Sequence, residues 1–126
     1  MENLKIKSFK DLFAWKKSHV LAVRTYEVTR NFPIIEQFGL TSQMRRCVVS
    51  IGSNIAEGFS RKTYKDKSQF YSVSLGSVTE LQSQLQISHD VGLMNSEVFQ
   101  ELDAKSIEVH KIINGLLKSS KNITRI

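Results

Sequence analysis

The chain has 126 residues, 40% of them hydrophobic, with one Pro, six Gly and a formal net charge of +6. That is enough for one core and too little for two, too apolar for a disordered chain, and sparing enough in breakers for long helices. The lone Cys47 excludes an intramolecular disulfide and reads as a small core residue. The opening Met-Glu-Asn-Leu-Lys lacks the order of a signal peptide. No apolar run approaches the roughly 20 residues of a membrane span. The expectation is a cytoplasmic protein, one domain over residues 1–126, with no membrane partner.

Ser8-Phe-Lys-Asp11 resembles a capping box, opening a first helix over about residues 9–31. Leu12, Trp15, His19, Ala22, Val23 and Tyr26 recur at helical spacing and predict its buried stripe. Asn31-Phe-Pro33 ends it, because the residue before Pro is pushed out of the helical region. Thr41 or Ser42 caps a second helix to about residue 60, with Met44, Val48, Ile51, Ile55 and Phe59 as its stripe and Gly58 near its close. Thr63-Tyr-Lys-Asp66 opens a third helix, about 64–91, carrying Phe70, Val73, Ser77, Leu81 and Leu85, with Gly92-Leu93 as its stop. The fourth starts at Asn95 or Ser96 and runs to about 119, burying Leu102, Val109, Ile112, Ile113, Leu116 and Leu117. Short connections make this an all-α, antiparallel, up-down-up-down four-helix bundle.

The second helix carries another stripe: Gln43, Arg46, Ser50, Asn54, Glu57 and Arg61, which holds one face for several turns. A solvent face is the ordinary explanation. However, Ser50, Gly52, Ser53 and Asn54 are poor helix formers. Their clustering points to a polar contact with Gly76, Ser77 and Glu80 of the third helix. Folding a hairpin about Lys62 brings Arg46 level with Glu80, which predicts that Glu80 pairs with Arg46 or Arg45. Arg46, Asn54, Glu57 and Glu80 are thus read as structural.

Enzyme chemistry finds little support. No Glu-x-x-His motif of a di-iron bundle, no HExxH and no Cys/His zinc cluster occurs. His19, His89 and His110 fall on three different helices, where each reads as a surface or interface residue. No metal, cofactor or catalytic residue is assigned. Charge is the remaining candidate. Residues 68–104 contain no Lys or Arg, whereas Arg61, Lys62, Lys65 and Lys67 cluster at the second turn beside Tyr64 and Tyr71. Lys16 and Lys17, and a tail of Lys118, Lys121 and Arg125, add to the basic side. Such clusters suit RNA or DNA phosphates, with salt-dependent binding and no base-reading motif; a solvated turn is the competing explanation. Phe13, Val20, Leu21 and Val28 exceed what one stripe can bury and are read as a subunit interface.

Phe9-Lys-Asp-Leu-Phe-Ala-Trp-Lys-Lys17, Phe32-Pro33, Phe38-Gly-Leu-Thr-Ser-Gln-Met-Arg-Arg46, Ser50-Ile-Gly-Ser-Asn-Ile-Ala-Glu-Gly58 and Gly76-Ser-Val-Thr-Glu-Leu81 follow one another in order. Together, over about residues 8–120, they resemble the four-helix-bundle family encoded in intervening sequences of bacterial 23S ribosomal RNA genes. The accessory variability determinant protein of diversity-generating retroelements is similar. The resemblance implies a homopentamer without enzymatic activity; the retroelement relative implies nucleic acid and a reverse transcriptase as partners. A homo-oligomeric protein-interaction scaffold is the alternative. The family commonly has Pro where this chain has Gly52, so a helix break there is expected to be softer or absent.

Overall fold

The computed structural model describes residues 6–124, with side chains as far as Lys121; Met1–Lys5, Arg125 and Ile126 lie outside the described residues. Four helices, α1 (Phe13–Thr29), α2 (Leu40–Ser60), α3 (Tyr64–Asp90) and α4 (Ser96–Thr124), make up nearly all of it, and no strand occurs among the described residues.

The Ser8 capping box forms. Asp11 Oδ2 accepts from the amides of Lys7 and Ser8 at 2.9 and 3.1 Å, and these two donors hold its carboxyl below the usual carboxylate range. The box closes a separate 3₁₀ turn, Phe9–Asp11, because Leu12 is extended at ψ 130°; α1 therefore begins at Phe13 instead of residue 9. A second 3₁₀ turn, Ile34–Glu36, follows Pro33. Neither Thr41 nor Ser42 caps α2. Gly39 occupies the cap position, and Glu36 Oε1 accepts the orphan Leu40 amide at 3.1 Å, so a carboxylate sits at the positive end of the helix. α2 then passes through Gly52 without a break.

Thr63 Oγ1 accepts from Asp66 N at 3.1 Å and caps α3. Gly92, at φ 84°, ends it: Leu93 N reaches Ser88 O at 2.8 Å and Gly92 N reaches His89 O at 3.1 Å, the paired bonds of a Schellman stop. Asn95 Oδ1 caps α4 through Val98 N at 2.8 Å.

Neighbouring helices touch in opposite chain order. Arg46 meets Glu80, Ser50 meets Ser77 and Gly58 meets Tyr71. Arg45 meets Thr29 while Gly52 faces Trp15, and Gln82 meets Ser106 while His89 meets Ser96. Leu21, Met44, Ile51, Ile55, Leu81, Leu85, Leu102 and Ile113 are fully buried between them.

The buried face of α1 departs from the apolar periodicity. Ala14, Ser18, Leu21, Thr25, Val28 and Thr29 face inward, while His19 and Val23 are exposed. Leu21 and Val28 are thus core residues and not a spare interface; Phe13 and Val20 remain exposed. The hydroxyls bury without penalty because each is satisfied locally: Ser18 donates to Trp15 O at 2.9 Å, Thr25 to Leu21 O and Thr29 to Thr25 O at 2.8 Å. In α3, Tyr71, Ser74 and Val78 are buried, whereas Val73 is exposed.

Candidate functional site

The polar stripe of α2 lies along the seam with α3. Arg46 Nη2 donates to Gln43 Oε1 at 2.8 Å and to Glu80 Oε2 at 3.2 Å. One turn on, the Ser50 and Ser77 hydroxyls share a 2.8 Å hydrogen bond, and Asn54 Nδ2 donates to Ser50 O and Oγ at 2.9 and 3.1 Å. On the buried side Ser74 Oγ donates to Ile51 O at 2.6 Å. Glu57 stays on its own helix, taking Arg61 Nη2 at 2.8 Å. Arg45 turns the other way, to Thr29 Oγ1 at 3.0 Å, with its guanidinium 4.6 Å from the Tyr26 ring. The Arg46–Glu80 pair is about half exposed, where such bridges contribute about 0–1 kcal/mol. Gly76 is exposed with open space beside it; close approach occurs at Gly58, packed against the Tyr71 ring.

Cys47 is buried beside this seam. Burial first, then the Glu80 carboxylate, pushes its thiol up to about 11, so it stays protonated and a poor nucleophile at neutral pH. Among the described residues no three His, Cys, Asp or Glu side chains come together as a metal site.

The basic candidates divide. Lys67 Nζ donates to Phe59 O at 2.9 Å and Gly58 O at 3.3 Å, closing the carboxyl end of α2, and burial lowers its pKa. Arg61 is held by Glu57 and stacks 4.7 Å over Phe70. Lys17 lies 3.8 Å from Glu108 and 5.4 Å from the Phe13 ring. Lys16, Lys62 and Lys65 are exposed and form no ion pair among the described residues.

Their placement follows from the packing. Phe9 packs edge-on against Trp15 at 5.2 Å, Trp15 faces Gly52 of α2, and the Ser120 hydroxyl of α4 meets buried Tyr71 of α3. The first 3₁₀ turn with Lys7 and Lys10, the α2–α3 turn, and the last turns of α4 with Lys118 and Lys121 therefore share one end of the bundle. Glu36, Asp90 and Glu97 sit at the other, where α2 and α4 begin and α3 stops. Arg125 lies outside the described residues.

Two features escaped the sequence reading. Arg24 forks onto Glu101 across α1 and α4, Nε to Oε2 at 2.8 Å and Nη2 to Oε1 at 3.0 Å, and this partner holds the Glu101 carboxyl below its ordinary value. The opposite-charge pair was visible, but nothing in the spacing of two helices so far apart in sequence links them. The second is an open groove of about 630 Å³ between α1 and α2, lined by Trp15, Ala22, Val23, Tyr26, Val49 and Gly52 among others. His19 stacks on Trp15 at its edge, with centroids 4.8 Å apart. The residues first read as the buried stripe of α1 form one wall of this groove.

Comparison with known proteins follows the same lines. The sequence pattern of the 23S rRNA-intervening sequence proteins matches residues 10–115. No functionally curated protein matches the chain. In three dimensions it is similar to a protein of unknown function from the S23 ribosomal protein family of Bacteroides thetaiotaomicron, with TM-score 0.77 and 24% identity, covering 86% of this chain and 98% of that one. At that identity the likeness speaks for the fold. With most of its length matched by one family pattern, and a solved bundle of like shape beside it, the chain belongs to the 23S rRNA-intervening sequence protein family.

Proposed function

We propose that this chain is a non-catalytic, homo-oligomeric protein, a pentamer in the form the family resemblance implies, that holds RNA or DNA backbones at the basic end of its bundle. The observation that carries the reading is the meeting of three basic segments, distant in sequence, at that end. Lys16, Lys62 and Lys65 are exposed at that end and form no ion pair among the described residues, and Lys10 and Lys118 belong to the same end. Lysines of this kind contact phosphates, and each contact releases a condensed counterion, so binding weakens steeply with salt. Lys17, Arg61 and Lys67 contribute to the field, but their side chains are already engaged within the protein. Assembly multiplies the basic ends and strengthens binding through avidity.

The test is fluorescence anisotropy with single- and double-stranded RNA and DNA over a salt series. Binding near 50 mM salt is expected, with Lys62→Gln and Lys65→Gln each lowering the slope of log K against log salt by about one. No binding at that salt with any of the four probes refutes the reading. The groove between α1 and α2 favours a second reading, a scaffold that docks protein and no nucleic acid; it predicts affinity for a partner that is indifferent to Lys62 and Lys65.

A further inference from the structure

The most exposed large apolar side chains described lie together, in the connection between α1 and α2. Ile34 and Ile35 are 85% exposed and Phe38 is 89% exposed; Val91, the next, stands at 63%. This is no floppy loop. Glu36 N to Pro33 O (2.9 Å), Gln37 N to Ile34 O (3.0 Å) and Gly39 N to Glu36 O (2.9 Å) brace it. Its one acid, Glu36, turns one carboxylate oxygen back onto the Leu40 amide and stays half-buried at the edge, so the surface presented is mainly apolar.

The same molecule carries an unfilled counterpart. The α1–α2 groove holds about 630 Å³ and presents Trp15, Val23, Tyr26, Val49 and Gly52. Val23 and Val49 are 47% and 50% exposed. Charge agrees with shape. At the groove mouth Glu27 is taken up by Arg24 at 3.6 Å, while Arg30 has no ion-pair partner among the described residues. An arriving tip would bring Glu36 toward that cation.

We propose that, in the homo-oligomer on whose existence this inference rests, the Ile34–Phe38 tip of one copy seats in the α1–α2 groove of the next. The areas fit a closed assembly better than an isolated pair. Three side chains of this size and exposure offer on the order of 450 Å². A single tip-in-groove contact thus falls short of the roughly 800 Å² each partner contributes to a stable interface. A chain that uses its tip on one neighbour and its groove on another buries about twice as much in all, in two separate contacts, so that in a closed ring every chain is held on both sides. Contacts of this donor-and-acceptor kind close into rings or run on as filaments. The tip stands where α1 gives way to α2, away from the basic end, and the groove lining includes no lysine, although it reaches Phe9 and Trp15 near Lys10 and Lys16.

Light scattering on Phe38→Asp tests the contact. The substitution lies on a side chain that is almost wholly exposed, so the fold is not at risk. The wild-type chain is expected to be oligomeric and Phe38→Asp to fall to single-chain mass, still binding nucleic acid at low salt but without the gain that avidity gives the assembly. A wild-type assembly that survives Phe38→Asp unchanged overturns this inference alone. A monomeric wild-type chain overturns the oligomeric reading with it. Disulfide trapping then assigns the surfaces: Gln37→Cys beside the tip and Ser53→Cys in the groove leave the apolar contacts intact. Mixed, they are expected to trap as tip-to-groove pairs much faster than either traps with itself; self-pairs at equal or greater rate overturn the proposal.

Discussion

Replacing Gly58 by alanine separates packing from helix propensity at the α2–α3 contact. A methyl there would stand 2.6 Å from Tyr71 Cε1, 2.9 Å from Cδ1 and 3.2 Å from Phe70 Cβ. Carbon atoms rest about 3.5–4.0 Å apart, so the closest pair overlaps by roughly 1 Å. Tyr71 is 1% exposed and its ring cannot swing aside, which leaves the helices to move apart. Overpacking of this kind costs about 1–3 kcal/mol. Alanine's better helix propensity offsets about 1 kcal/mol. Gly58→Ala is therefore expected to destabilise by about 0–2 kcal/mol. Gly76→Ala is the control, since nothing lies within 4 Å of its added methyl; it should stabilise by about 1 kcal/mol. Helix propensity cancels between the two, so their difference isolates the clash. The assay is urea unfolding of both variants at one fixed protein concentration, because self-association shifts apparent stability. If Gly58→Ala proves as stable as Gly76→Ala, the seam is looser than its geometry indicates and the reasoning fails.

Lys67→Met should lower stability by about 1.5–3 kcal/mol, the range for hydrogen bonds from a charged donor, yet leave the salt slope of nucleic-acid binding unchanged; a slope that falls as it does for Lys62→Gln would show that Lys67 contacts phosphate. Because Arg24 depresses the Glu101 pKa in the folded state, that pair's contribution is fully present above the unfolded value of about 4.5 and disappears as pH falls through the lower folded value. Glu101→Gln is accordingly expected to lose about 0.5–1 kcal/mol at pH 7 and to match the wild type near pH 2, read from urea midpoints; a constant offset across that range contradicts the assignment. Cys47, with a pKa of about 11 and 1% exposure, should react with a thiol reagent at pH 8 only as fast as the protein opens. Labelling within the mixing time of the native protein would place the thiol at the surface.

What could be read from the residues, and what could not, divides along one physical line. The apolar periods of α2 and α4, the Thr63 and Asn95 caps and the Gly92 stop are local signals, and the helices end within a few residues of where those signals fall. The expected cap at Thr41 or Ser42 failed because a carboxylate four residues before Leu40 reached its amide first. The face of α1 was hidden for a different reason. Ser18, Thr25 and Thr29 bond to carbonyls of their own helix, so they enter the core as small, nearly apolar groups that a hydropathy period passes over. Ser106 does the same in α4, bonding to Asp103 O, while the equally buried Ser74 and Ser88 of α3 reach across to Ile51 O and Met44 Sδ of α2. Helices with such small side chains on their inward faces pack closely around the Leu, Ile, Met and Tyr71 side chains of the core. Trp15 and Tyr26 are displaced to its flank, where they wall the groove, and Ile34, Ile35 and Phe38 find no place in it. Large apolar residues of the expected α1 stripe and of the α1–α2 connection are thus the ones left at the flank or facing outward. That inversion links the hydroxyl-rich faces of the helices to the apolar exterior: both follow from helices that approach closely through Ser, Thr and Gly, and it is on the surface left over that the proposed contact between copies rests.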